Sequence, residues 1–179
     1  KMGKPDYELM YYLGLFSLKG GKPDQAFEYF EKAGKLNPNG FEVWYQIGLY
    51  NSSKDDHTKA AACFQRALKA NPEHLPTMEG LGISLMAIGQ EAQGMELFLK
   101  IITLSPENIK IRYRVAKIYL TKKNYQKALE LFGQIISVAP TEYKALQGKA
   151  DIMFLTENYS GAINCYNQVL EMMPKNYSA

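Results

Sequence analysis

The stretch WYQIGLYNSSKDDHTKAAACFQRALKANP, residues 44–72, decides the fold, because its main positions recur along the sequence every 34 residues. Its final residue belongs to a series of evenly spaced prolines, namely Pro38, Pro72, Pro106, Pro140 and Pro174. An aromatic residue stands eight positions before each proline, at Phe30, Phe64, Phe98, Phe132 and Tyr166. Small residues recur four positions before each aromatic. They recur again in the column of Gly48, where a column is the set of equivalent positions in the five repeats. This agreement predicts five tandem repeats.

Each repeat has the apolar pattern of two helices. In the fourth copy a first stripe is formed by Ile111, Val115, Ile118 and Tyr119, and a second by Ala128, Leu131, Phe132, Ile135 and Ile136. Both have the spacing of one face of an α-helix. Asn124 lies between them, where it can cap the second helix, and each proline is expected to end a second helix. Such short helix pairs bury their apolar faces only by stacking on one another.

These positions resemble the tetratricopeptide repeat (TPR) family. The resemblance is strongest in the second copy, which carries Trp44, Ile47, Gly48, Ala60, Phe64, Ala67 and Pro72. Departures occur at Asn51, at Arg112 in the Trp column, at Lys149 in an apolar column and at Ser17 in the Tyr column. We expect the stems of Arg112 and Lys149 to lie along apolar surface with their charges in water.

The resemblance implies an all-α, right-handed superhelical solenoid of five helix-turn-helix repeats. The predicted boundaries are a tail or junction at residues 1–6, repeats at 7–40, 41–74, 75–108, 109–142 and 143–176, and a tail at 177–179. The last helix, predicted from about Ser160 to Met173, is expected to leave apolar side chains uncovered, so that the array or a partner continues beyond it.

The amino-acid composition limits the classes of protein to which this sequence can belong. Hydrophobic residues make up 46% of the 179 residues and charged residues 22%, which is typical of a globular chain. No signal peptide or apolar run of membrane-spanning length is recognisable, and we expect a cytoplasmic protein. The net charge of +3 is too small to indicate nucleic-acid binding, and no base-reading residues recur from repeat to repeat.

Candidate catalytic and metal-binding residues are few, and no cofactor is expected. His57 and His74 fall in predicted junctions without a phased nucleophile or acid beside them. Cys63 and Cys165 share one column three repeats apart, which is too far for a disulfide. We therefore predict a non-enzymatic protein.

What the TPR resemblance implies instead is a groove, lined by the first helices, that holds a peptide or helix of a partner protein. The predicted groove residues are Tyr11, Tyr12, Leu15, Tyr45, Gln46, Leu49, Ile83, Met86, Lys110, Tyr113, Arg114, Lys117, Lys144, Gln147, Asp151 and Phe154. Aromatic and aliphatic side chains in the N-terminal half suit an apolar ligand surface. We expect Tyr11 and Tyr45 to be ligand anchors whose removal leaves the fold stable; the alternative is that such tyrosines pack against neighbouring helices.

Repeat four is the predicted electrostatic part of the groove. It carries seven basic residues against two acidic ones, and Lys110, Arg114 and Lys117 form one stripe on its first helix. This pattern favours an acidic segment as ligand. The alternatives are a solvated basic face and self-association with the acidic third repeat.

The sequence therefore predicts a protein-interaction scaffold or adaptor. Two other functions stay open: the regulatory array of a larger enzyme, and a self-assembling scaffold that forms homo-oligomers.

Overall fold

The computed structural model describes residues 6–172, and every regular element in that range is an α-helix. The helices are α1 (Tyr7–Lys19), α2 (Pro23–Leu36), α3 (Phe41–Ser53), α4 (His57–Ala70), α5 (Leu75–Ala87), α6 (Glu91–Leu104), α7 (Ile109–Thr121), α8 (Tyr125–Val138), α9 (Tyr143–Leu155) and α10 (Tyr159–Met172). Odd-numbered helices, here called first helices, have 13 residues and even-numbered second helices have 14. The expected ends of the array at Met173, Pro174 and Asn176 lie outside the described residues.

Proline and capping residues set the helix ends. Four second helices end two residues before the proline of their repeat, because proline lacks an amide hydrogen and restricts the residue before it. Asn124 accepts a hydrogen bond from the amide of Lys127, as an N-cap of α8. Asp56 and Asn108 cap α4 and α7 in the same way.

The turn inside each repeat needs one residue in the left-handed region. Gly21, Asp55, Gly89, Lys123 and Glu157 have φ values between 57° and 81° and lie 34 residues apart. Glycine takes this conformation without strain, whereas Asp55, Lys123 and Glu157 take it at some cost in free energy. The repeat is therefore visible in the backbone as well as in the side chains.

The helices form two compact units, the first extending to Phe98 and the second beginning at Leu99. In unit 1, buried phenylalanines pack into glycine-lined gaps on the first helices. A Cβ added to Gly48 would lie 2.5 Å from the ring of Phe64, so the helix can approach the ring only without a side chain there. Gly14 faces Phe30, and Gly82 faces Phe98, in the same relationship.

Unit 2 has a core of the same kind. Phe132 is fully buried with Ala116, Ile135 and Ile152. A Cβ on Gly148 of α9 would lie 2.4 Å from Phe132, so this ring also packs against a first helix that follows it in the chain.

Arg112 departs from expectation in unit 2. Its side chain is only 6% exposed, so the guanidinium is not in water. Nη2 donates a hydrogen bond to the carbonyl oxygen of Pro106, while Nε and Nη1 have no hydrogen-bond partner among the described residues. The expectation that this charge reaches solvent was wrong, because the position faces the packed interior.

Candidate functional site

The first helices of unit 1 carry eight of the predicted groove residues, which differ in exposure. Tyr12 is 54% exposed and Leu49 is 40% exposed, so both present apolar surface to solvent. Tyr11, Leu15, Tyr45, Gln46, Ile83 and Met86 are half-buried. Gln46 and Leu49 also line a cavity of about 230 Å³ with Leu18, between α1, α2 and α3.

The tyrosines of one column pack on the phenylalanine of their own repeat. The ring centroids of Tyr11 and Phe30 are 5.9 Å apart, and those of Tyr45 and Phe64 are 6.1 Å apart. Tyr45 also meets the ring of His74 edge-on at 5.1 Å. These contacts favour the alternative in which the tyrosines contribute to the packing of the repeat.

A carboxylate lies beside the tyrosines of α1. The hydroxyl of Tyr7 donates to Glu42 Oε2 at 3.5 Å, and Tyr7 stacks on Tyr11. Burial and the Glu42 charge raise the pKa of Tyr7 to about 12, and the same two causes raise the pKa of Tyr11. Both hydroxyls therefore stay protonated, and remain hydrogen-bond donors, to a higher pH than an ordinary tyrosine does.

In unit 2, four predicted residues of α7 line one cavity of about 310 Å³: Lys110, Tyr113, Arg114 and Lys117. Lys110 and Lys117 are exposed, and Tyr113 and Arg114 are half-buried. The ring of Tyr113 lies 5.8 Å from that of Phe132, so its position is fixed by the core. Burial, followed by the charges of Asp151 and Glu142, raises the pKa of Tyr113.

None of the predicted residues of α9 lines this cavity. Asp151 accepts a hydrogen bond of 2.7 Å from the hydroxyl of Tyr166 on α10. The ammonium group of Lys144 lies 6.0 Å from the ring centroid of Tyr143. Gln147 is exposed, and Phe154 is 56% exposed beside Tyr159.

A second surface of unit 1 was missed by the sequence analysis. An apolar cavity of about 650 Å³ opens between α2 and α4 above α3. A more polar cavity of about 870 Å³ adjoins it, and the two share Pro38, Ala62 and Arg66. We call both together the second-helix groove; its apolar part is lined by Phe27, Gly34, Trp44, Ile47, Asn51 and Cys63, and its polar part by Asn39, Gln65 and Lys69.

The two histidines lie at helix starts, and the two cysteines lie inside α4 and α10. His57 is the first residue of α4, and His74 precedes α5 with Nδ1 2.6 Å from Thr77 Oγ1. Cys63 and Cys165 are both free thiols. Within residues 6–172, no three His, Cys, Asp or Glu side chains gather as metal ligands would. No helix in the same range is long and apolar enough to cross a bilayer.

Several solved structures share this fold. MamA from Desulfovibrio magneticus RS-1, residues 41 to the end, has a TM-score of 0.85 at 21% identity, covering 99% of this chain and 100% of that one. YrrB, described as a TPR protein with an unusual peptide-binding site, has a TM-score of 0.81 at 17% identity, covering 96% and 88%. PilF of Pseudomonas aeruginosa has a TM-score of 0.74 at 18% identity, covering 95% and 78%. The predicted all-α TPR solenoid is confirmed by these likenesses.

Comparison with curated protein sequences finds no match. Three family models, each described as tetratricopeptide repeat, match residues 8–40, 41–74 and 89–150. Together they cover most of the sequence and contain α2, α3, α4, α6, α7 and α8 in full, while α5 and α10 lie outside the matched segments. The chain belongs to the tetratricopeptide repeat family.

Proposed function

We propose that this chain is a non-enzymatic protein-interaction scaffold, and that the cavity on α7 of unit 2 binds an acidic segment of a partner protein. The TPR fold supports the first part. The second part depends on one observation: three basic side chains and the ring of Tyr113 line a single cavity on a first helix.

The chemistry of this cavity suits carboxylates. Lys110, Arg114 and Lys117 follow one another at helical spacing, where like charges repel by a few tenths of a kcal/mol per pair. A bound carboxylate relieves that repulsion. Arginine can bind it with two parallel hydrogen bonds, whereas the lysines act as point charges around it.

Tyr113 adds an apolar wall to the cavity. Its ring is held against Phe132, so little side-chain entropy is lost when a ligand packs on it. The nearby carboxylate of Asp151 is bound to Tyr166, which holds it on the side of α10. The site therefore favours a segment in which acidic residues flank an apolar one.

The proposal is tested with a labelled synthetic peptide of Glu and Asp residues around a central Leu, and a control peptide with Lys at the acidic positions. The variant carrying Arg114→Glu and Lys117→Glu is expected to weaken binding of the acidic peptide at least tenfold. Lys122→Glu with Lys123→Glu is the matched control, since it makes the same charge change in the exposed turn after α7.

The dependence of peptide binding on salt concentration gives a second measurement. The screening length is near 8 Å at about 0.15 M salt, so binding through this cavity should weaken as salt is raised. Equal affinity for the acidic and basic peptides, or an equal loss in both double variants, would overturn the proposal. The proposed cytoplasmic location stays a prediction.

Self-association is a second candidate, favoured by α10 of unit 2. Ile163 is 60% exposed and Leu170 is 62% exposed on this helix. A second copy that covered them would remove exposed apolar surface from water. Sizing over a range of concentrations tests this: Ile163→Gln with Leu170→Gln should abolish any concentration-dependent oligomer, and a monomer at every concentration excludes the candidate.

A further inference from the structure

The second-helix groove of unit 1 borders a position at which one repeat lacks a side chain that the others have. Gly34 occupies a column whose other members are Leu68, Ile102, Ile136 and Leu170. Leu68 packs against a cluster that includes Leu81 and Leu85 of the next first helix. Ile136 packs against a cluster that includes Leu146 and Ala150 of α9.

In the first repeat, the corresponding positions on the next first helix are left to line a groove. Ile47 and Asn51 stand in the columns of Leu81 and Leu85, and both border the apolar cavity beside Gly34. A Cβ on Gly34 would lie 3.3 Å from Cζ2 of Trp44, so the indole forms the adjacent wall. Val43 lies almost as close, at 3.4 Å, so Trp44 and Val43 close one side of the space beside Gly34.

Arg66 stands where the apolar and polar parts of the groove meet. Its guanidinium carbon lies 3.8 Å from the ring centroid of Trp44. Arg66 Nε and Trp44 Nε1 both donate to the carbonyl oxygen of Pro38, at 3.3 and 2.9 Å. These contacts position the guanidinium, while its Nη atoms have no partner among residues 6–172. A stacked arginine with two available amino groups is a receptor for a carboxylate.

The charges around the groove have mostly one sign. Lys35 and Lys69 share a column on α2 and α4, and neither forms an ion pair within residues 6–172. Lys59 is neutralised by Asp56 at 2.8 Å. Glu31 is the one carboxylate in the described lining. The groove therefore has an excess of positive charge close to Arg66.

We propose that the second-helix groove binds an acidic segment of a partner protein, with one branched apolar side chain of that segment inserted beside Gly34 and Trp44. The inserted side chain contacts Trp44, Ile47 and Cys63, as Leu68 contacts its own core. An adjacent carboxylate of the segment pairs with Arg66, and further acidic residues lie near Lys35 and Lys69. This groove shares no lining residue with the cavity on α7, so the failure of one proposal does not contradict the other.

The probe is a displayed library of random short peptides, selected against the full chain and counter-selected against the immobilisation surface without protein. Enriched peptides are then synthesised and titrated while the fluorescence of Trp44 is followed. Because Trp44 is the only tryptophan in the sequence, its emission reports the groove directly. Alkylation of Cys63 gives a second signal, which a bound segment should slow, with the buried Cys165 as an internal reference.

The expected peptides carry Leu, Ile or Val next to Asp or Glu, and they change the emission of Trp44. Gly34→Leu should weaken their binding at least tenfold, because the leucine side chain takes up room in the apolar part of the groove. Arg66→Gln should weaken their binding about tenfold, because it removes the guanidinium group that pairs with the carboxylate. Gly133→Leu is the matched control for adding the same side chain to a second helix, since a Cβ there meets nothing within 4 Å. Arg114→Glu with Lys117→Glu should leave this binding unchanged.

Thermal melting of each variant shows whether it is folded, so that a loss of structure is not mistaken for a loss of binding. If Gly34→Leu fails to fold, Arg66→Gln still tests the proposal, because Arg66 is exposed. The proposal is overturned if selection enriches no peptide that changes Trp44 emission. It is also overturned if the enriched peptides lack acidic residues, or if they bind a folded Gly34→Leu or Arg66→Gln variant as tightly as the original chain.

Discussion

Trp44 and Arg112 occupy the same position of two repeats, and each donates a hydrogen bond to the carbonyl oxygen of the proline six residues before it. The indole Nε1 donates to Pro38 at 2.9 Å, and Nη2 of Arg112 donates to Pro106. In these two repeats a long side chain therefore reaches the proline carbonyl with a donor at its end, whereas Met78 and Leu146 occupy the position without a donor. Arginine makes this bond, but it also brings a charge and further donors into a buried site.

The first prediction concerns this buried arginine. Arg112→Ala should lower the free energy of unfolding by about 2 kcal/mol or more, because it removes the bond to Pro106 and leaves a cavity. Arg112→Met should cost less than about 1 kcal/mol, since it keeps the volume and removes a poorly partnered buried charge. Urea unfolding of both variants measures this; equal losses would show that the charge itself stabilises the site.

The second prediction compares two glycines inside helices. Gly48→Ala should destabilise by about 1 to 3 kcal/mol, because its Cβ would lie 2.5 Å from the buried ring of Phe64. Gly133→Ala should stabilise by about 0.5 to 1 kcal/mol, since its Cβ meets nothing within 4 Å and alanine favours a helix. Thermal melting distinguishes them, and a stable Gly48→Ala variant would contradict the close packing.

The third prediction concerns the left-handed turn residue. Lys123 has a φ of 57°, so Lys123→Gly should stabilise by about 1 kcal/mol. Its neighbour Lys122 has a φ of −81°, and Lys122→Gly should bring no gain. Urea unfolding of the two single variants provides the test. A gain in both, or in neither, would mean that backbone strain at Lys123 is unimportant.

Periodicity made the fold predictable, whereas the sites depended on contacts that a single repeat does not reveal. Phe64 and Pro72 recur at fixed spacing, so the helix pairs followed from local pattern. The burial of Arg112 did not follow, because it depends on how neighbouring helices cover that position. Gly34 could have been noticed, since Leu68 stands one repeat later, but only the structure shows that a groove lies beside it.

The fourth prediction separates packed from exposed tyrosines in unit 1. Tyr45→Ala should lower the free energy of unfolding by about 2 kcal/mol, because the ring packs on Phe64 and His74. Tyr12→Ala should change it by less than about 1 kcal/mol, since Tyr12 is 54% exposed. This outcome differs from the sequence-based expectation that Tyr45 can be removed without loss of stability. Equal melting temperatures for the two variants would restore that expectation.

The last prediction is an alkaline loss of stability that depends on Tyr166. The hydrogen bond that Tyr166 donates to Asp151 raises its pKa from 10.0 to about 12. The bond therefore stabilises the fold fully below about pH 10, and this contribution is lost as pH rises towards about 12. Tyr166→Phe should be less stable than the original chain near neutral pH, and the difference should shrink above about pH 10. Tyr159→Phe is the control, because Tyr159 is 54% exposed. Urea unfolding at several pH values decides the matter: a difference between Tyr166→Phe and the original chain that stays constant through this range would show that the bond to Asp151 does not control the titration.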